Sequence, residues 1–174
     1  MAELSGMLLS DGVVVLRPLQ AADAADHLAG EDAELVRWLS GGVGTTDTVS
    51  NYIQHVQEMW ANNGPIFTFA IRSAREDNLA GTIDIQLNRP AFRSDQANFA
   101  YGLYPGARGR GFATSAVHLA LDFLRTNRAI QSALIRVDPD NPRSAAVAMR
   151  AGFTLTMRAS DTDDGHDWYE REVH

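Results

Sequence analysis

The run Arg108-Gly109-Arg110-Gly111-Phe112-Ala113-Thr114 places two glycines, two arginines and a hydroxyl between an extended stretch, 98–104, and a stretch of helical periodicity. Glycines let the backbone pass close to a ligand, and the first-turn N–H groups of the following helix, helped by its dipole, point at an anion. The chemistry this suggests is diphosphate binding; the competing reading is a plain Gly-rich turn before a helix. A P-loop would need Gly-Lys followed by Ser or Thr, which is lacking. The Rossmann fingerprint fails as well, because Thr114 stands where its third glycine belongs and the run lies far from the first strand.

A second segment lies downstream, Asn141-Pro142-Arg143-Ser144-Ala145-Ala146-Val147-Ala148-Met149-Arg150-Ala151-Gly152-Phe153. The pair resembles the GNAT superfamily of acetyl-CoA-dependent N-acetyltransferases. Arg108, Gly111 and Ala113 match its Arg/Gln-x-x-Gly-x-Gly/Ala pattern, and Asn141 through Gly152-Phe153 match its Asn-x-x-Ala/Ser…Gly-Phe pattern. The opening Val13-Val14-Val15-Leu16-Arg17-Pro18-Leu19, with 21–28 and 31–39 after it, is similar to the RimJ/RimL branch, the ribosomal-protein N-terminal acetyltransferase type.

The resemblance implies a coenzyme A site and a direct acetyl transfer to a primary amine, of a protein N-terminus or a small molecule. The backbone of Arg108, Gly109, Arg110, Gly111, Phe112, Ala113 and Thr114 would receive the pyrophosphate, with the two arginine side chains adding positive charge. The pantetheine arm would pair with the strand holding Tyr101, Gly102, Leu103 and Tyr104, where a bulge at Gly102 splays it from a parallel neighbour and the N–H groups of 102–104 polarise the thioester carbonyl. Asn141 would bond the pantetheine amide, cap its helix, or do both.

Two catalytic positions depart from the family pattern. A tyrosine acid commonly follows the residue matched by Val147, and this chain has Ala148; Ser144 is the candidate to serve the departing thiolate, against a packing or capping role. A glutamate is common near the start of the strand before the cradle, and this chain has Asn98, which is no base. Asp84 is the candidate carboxylate, acting through water, against a plain solvated aspartate. These departures sustain an alternative, a non-catalytic acyl-CoA-binding sensor or regulatory module. Trp38, Trp60, Phe67 and Phe69 are candidates to wall the amine pocket, or to be core.

Composition bounds the rest. A chain of 174 residues with 45% hydrophobic content makes one domain, 1–174, able to bury its own core. Zero cysteines exclude disulfides, thiolate metal sites and a cysteine nucleophile. The five histidines lack metal-ligand spacing, so no metal is expected. A net charge of −7 argues against nucleic-acid binding. No apolar run reaches a membrane span, and the start lacks a secretory signal's basic flank, so a cytoplasmic protein is expected. Only the resemblance suggests a homodimer.

Element signals follow the same order. Val13–Leu16 reads as a strand ended by Pro18, with short helices over 22–29 and 35–39 and a longer one from Thr46 or Asp47 to Asn63-Gly64-Pro65. Strands follow over 66–71, 79–87 and 98–103, then a helix over 113–124, a strand over 130–137, and a helix that Asn141 caps with Pro142 at its first position. A terminal hairpin, 154–159 and 168–173, turns at Asp164-Gly165; no EF-hand register fits there. The order gives an α/β (α+β) fold with a mixed, mostly antiparallel central sheet flanked by helices, and the GNAT resemblance implies central strands splayed at the coenzyme A site.

Overall fold

The computed structural model describes residues 6–174. Its core is one eight-stranded sheet. β1 (Leu9–Ser10), β2 (Val14–Pro18), β3 (Ile66–Ser73), β4 (Leu79–Gln86) and β5 (Gln96–Leu103) run antiparallel in succession. β6 (Ser132–Val137) joins β5 in parallel, and β8 (Asp167–Glu172) lies between β6 and the edge strand β7 (Thr154–Met157). The mixed, mostly antiparallel sheet is the one the element order predicts.

Helices cover both faces because the strands alternate. Phe67, Phe69, Ile83, Ile85 and Phe99 share one face by register, and all are buried. The helix α4 (Phe112–Leu124) covers this face with a buried stripe that includes Ala116, Val117, Ala120 and Leu124. Its Phe123 ring meets Phe67 and Phe69 edge-on at 5.3 Å each. Trp60, near the end of α3 (Thr46–Ala61), adds edge contacts to Phe67 at 4.9 Å and Phe69 at 5.0 Å, and its Nε1 donates to the Thr68 carbonyl. Three of the four aromatics considered as pocket walls, Trp60, Phe67 and Phe69, are therefore core.

The other face, with Thr68, Asp84, Ala100 and Gly102, meets α1 (Ala24–Gly30) and the short α2 (Ala33–Leu35), which continues as a wide π-type turn over Val36–Ser40. α5 (Pro142–Arg150) follows β6, with Pro142 at its first position as expected. Two local expectations change. Residues 158–166, including a short 3-10 turn at Ala159–Asp161, connect β7 to β8, so Asp164-Gly165 is part of a longer loop and not a two-residue hairpin turn. β5 keeps an unbroken register with β4 from Gln86↔Asn98 to Gly81↔Leu103, so no bulge occurs at Gly102.

The Trp60–Phe67–Phe69–Phe123 cluster locks α3 and α4 to the sheet. Phe69 is fully buried at its centre. Phe69→Ala is expected to cost ~3–5 kcal/mol of unfolding free energy. Urea denaturation followed by circular dichroism measures it, and a loss below ~1 kcal/mol would show that the cluster is not a keystone.

Candidate active site

β5 and β6 pair over only Gln96↔Ser132, Ala97↔Ala133 and Asn98↔Leu134, although both strands continue. Beyond Asn98 they part, and the gap becomes a cleft of about 1080 Å³. One wall is the free edge of β5, the other is Ile135–Val137 with α5, and α4 begins at the cleft's end. The splay that the resemblance implies is therefore present, and it arises from where β6 stops pairing.

The cradle is built on left-handed backbone. Gly109 has φ 73° and Gly111 φ 80°, a region glycine enters at little cost. Gly111 is the N-cap of α4 and offers no side chain to the helix start. Among the described residues, the backbone N–H groups of Gly109 through Thr114 donate to no acceptor in the chain. The buried Thr114 Oγ1 also lacks a partner there. Gly109, Arg110 and Gly111 are exposed, so their amides are open to a ligand, whereas a buried hydroxyl such as that of Thr114 is costly unless something bonds it. A run of free amides at a helix start, with an orphan hydroxyl beside it, fits a diphosphate.

The arginines of the cradle are already paired. Arg108 bonds both Asp32 carboxylate oxygens at 2.7 and 2.9 Å, lies 3.0 Å from Glu34, and donates from Nε to the Leu103 carbonyl at 3.0 Å. Arg110 pairs with Glu76 at 2.8 and 3.1 Å and stacks over Phe112. Their charge is neutralised locally, so Arg108 serves as a tie between the cradle and α2. Arg108 holds the Asp32 carboxyl down to about 2, with the Leu35 backbone N–H adding to the effect.

Gly102 has a different reason from the one expected. A Cβ there would lie 2.5 Å from Leu35 Cδ2 and 2.8 Å from Leu39 Cδ2, so glycine permits the π-type turn to close over the β5 edge. Tyr104 turns away from the cleft, its hydroxyl 2.6 Å from His27 Nδ1 and its N–H donated to the Ala80 carbonyl. Tyr101, Gly102, Leu103, Arg108, Gly109, Gly111, Phe112, Ala113, Thr114, Asn141 and Ser144 all line the cleft, whereas Tyr104, Arg110 and Asp84 do not.

Asn141 caps α5, its Oδ1 accepting from the Ser144 N–H at 3.2 Å. The Ser144 hydroxyl lies 3.1 Å from that of Tyr101, a contact between β5 and α5. Asp84 sits on the opposite sheet face, accepting from Thr68 Oγ1 at 2.6 Å. Burial raises its pKa, against lowering bonds from Thr68 and Gln86. Gln86 reaches the cleft and continues the polar row, accepting from Asn98 Nδ2 at 3.2 Å. Asn98 in turn accepts from Arg136 Nε at 3.2 Å, and Arg136 pairs with Asp164 at 3.1 Å.

Gln86, Arg136, Asp164 and His166 were not singled out for the site by sequence reasoning, yet all line the cleft, as does Trp38. Gln86 and Arg136 carried a faint signal as polar residues inside apolar strands. The acidic run around Asp164 reads in the sequence as a turn, its register excluding an EF-hand calcium loop. Among the described residues no group of three or more His, Asp or Glu side chains is placed to hold a metal.

The Asp32–Arg108 tie yields a pH prediction. A carboxyl depressed in the folded state contributes stability above its unfolded value and loses it as pH falls through the folded value. The melting-temperature gap between the protein and Asp32→Asn should hold at neutral pH and narrow as pH drops from 3.8 toward about 2. A gap independent of pH would show that the pair adds nothing in solution.

Comparison with known proteins agrees with this geometry. The model of the acetyltransferase (GNAT) domain matches residues 14–154. No sequence among curated proteins matches. An acetyltransferase from Agrobacterium tumefaciens superposes with a TM-score of 0.73 at 26% identity, covering 95% of this chain and 94% of that one. A GNAT-family acetyltransferase from Bacillus anthracis gives 0.79 at 14% identity over 96% and 99%. RimL, a ribosomal L7/L12 alpha-N-protein acetyltransferase solved with coenzyme A, gives 0.78 at 17% over 95% and 98%. The matched span runs from the first residue of β2 to the first of β7 and takes in all of the cleft lining except Asp164 and His166, and the chain belongs to the GNAT acetyltransferase family.

Proposed function

We propose that the protein transfers an acetyl group from acetyl-CoA directly to a primary amine, of a protein N-terminus or a small molecule. The observation that carries this is the run of free N–H groups from Gly109 to Thr114 at the uncapped start of α4. The diphosphate would take those N–H groups and the Thr114 hydroxyl. The pantetheine arm would lie along the β5 edge that β6 leaves free, with Asn141 and Ser144 opposite.

Strand alternation narrows the group that polarises the thioester. The Tyr104 N–H is spent on Ala80, and in an antiparallel ladder the Gly102 N–H points the same way, toward β4. The Tyr101 and Leu103 N–H groups face the cleft instead. Either would meet the oxygen as the carbonyl gains charge. The amine would approach from the α2 side, bounded by Trp38 and the Asn98–Arg136–Asp164 row. Its proton would leave to water or toward Asp84 through Gln86, and a carboxyl whose pKa is raised by burial suits a base. The thiolate would leave on the opposite face, at Ser144. With no cysteine, and with Ser144 bonded to a tyrosine and not to a base, an acetyl-enzyme intermediate has no apparent nucleophile.

Gly111→Glu is expected to abolish acetyl-CoA binding, measured by calorimetry. Gly111→Ala carries the same positive-φ cost, which no clash increases, without the charge, and should keep most of the affinity. Equal affinities in all three proteins would remove the diphosphate from this turn. Asp84→Asn should slow turnover while melting no lower at neutral pH. The sign follows from burial: a raised carboxyl pKa costs stability once pH exceeds it, and the amide relieves that cost. Undiminished turnover in Asp84→Asn would return Asp84 to a structural role. Initial-rate plots with both substrates varied should intersect, and parallel lines would overturn direct transfer.

A further inference from the structure

The helical tyrosine acid common in this family is replaced by Ala148, which is fully buried, so that position carries no proton donor. The structure supplies another hydroxyl pair in the same wall. Tyr101 on β5 reaches across the cleft to the first turn of α5, its oxygen 3.1 Å from Ser144 Oγ and 3.2 Å from the Ser144 carbonyl oxygen. Register puts Tyr101 on the sheet face turned to α4 and α5, the face opposite Asp84 and Gly102. The two residues are 43 positions apart in sequence, so the contact is a product of the fold alone.

A serine hydroxyl by itself is a poor acid for a thiolate, because an alkoxide is far more basic than the sulfur it would protonate. A phenol is much closer in acidity. The Tyr101 O–H can donate to the Ser144 carbonyl or, by rotating about its C–O bond, to Ser144 Oγ; in the second arrangement the serine can pass a proton on without ever becoming an alkoxide. Asn141 fixes the arrangement from the other side by bonding the Ser144 backbone N–H, which sets the start of α5.

We propose that Tyr101 and Ser144 form a two-hydroxyl relay that protonates the departing coenzyme A thiolate, Tyr101 acting through Ser144. This rests on the acetyl-transfer reading above. The carbon–sulfur bond of the tetrahedral adduct breaks and its electron pair goes to sulfur. The sulfur takes the proton of Ser144 Oγ, which at the same time takes the proton of the Tyr101 hydroxyl. The tyrosinate is reprotonated from water, and the proton lost by the amine goes to solvent, so the cycle balances. Burial holds the Tyr101 hydroxyl up at about 12, with the Ser144 bond working in the lowering direction; the phenol is thus protonated at neutral pH and a weaker acid than an exposed tyrosine, though still a stronger one than a serine hydroxyl.

The test is single-turnover acetyl transfer with acetyl-CoA and an amine accepted by the wild-type protein. Tyr101→Phe should slow the chemical step by about a hundredfold while coenzyme A affinity by calorimetry stays within about twofold. Replacing Tyr101 by a ring-fluorinated tyrosine, whose hydroxyl is more acidic, should speed the step; a structural hydrogen bond would not respond in that way. The double variant Tyr101→Phe, Ser144→Ala should be no slower than the slower single variant, since the two act in series. A Tyr101→Phe rate equal to wild type, a rate insensitive to fluorination, or fully additive losses would each overturn the relay. Failure of the wild-type protein to release thiol from acetyl-CoA with any amine in a broad panel would overturn the acetyl-transfer reading itself, and the relay with it.

Discussion

Everything at the site follows from the parting of two parallel strands. β5 and β6 share three residue pairs and then diverge, leaving the backbone edge of Phe99–Leu103 without a neighbour inside an otherwise continuous sheet. Backbone donors and acceptors in such a place have a strong demand for partners. A ligand that carries amides along its length can act as the missing strand, as an extended peptide does when it adds to a sheet edge. α4 begins where the strands are farthest apart, so the amide-rich edge and the uncapped helix start form one continuous binding surface.

Electrostatics refine that surface. The chain is acidic overall, at −7, yet the cleft lining includes five arginines, Arg37, Arg108, Arg136, Arg143 and Arg150. Three of these are paired within the chain, Arg108 to Asp32 and Glu34, Arg136 to Asp164 and Asn98, and the more exposed Arg143 to Glu34. The pairs are long in sequence and short in space. The Arg108 and Arg136 pairs tie α2 to the cradle and the 158–166 loop to β6. The backbone N–H groups of Gly109–Thr114, without acceptors among the described residues, are the donors that our proposal assigns to the anion.

Local signals were legible in the sequence because local chemistry produces them. The Gly109 and Gly111 turn, the Asn141-Pro142 helix start and the alternation of β4 and β5 each depend on residues within a few positions of one another. The parts that escaped depend on distance. No spacing rule joins Arg108 to Asp32 across 76 positions, or Tyr101 to Ser144 across 43. Gly102 is legible in the sequence as a glycine with a purpose, but the purpose lies in Leu35 and Leu39 on another element and not in a bulge of β5. Aromatic residues at helix and strand spacing gave core as readily as pocket, and of Trp38, Trp60, Phe67 and Phe69 only Trp38 reaches the cleft.

The central claim is that free backbone amides, and not the cradle's arginine side chains, receive the diphosphate. Amide chemical shifts of nitrogen-15-labelled protein, followed as coenzyme A is added, test it directly. The N–H signals of Gly109 through Thr114 should move furthest, with those of Tyr101 and Leu103 following and that of Tyr104 nearly still. The largest shifts falling elsewhere, with 109–114 unmoved at saturation, would contradict the account.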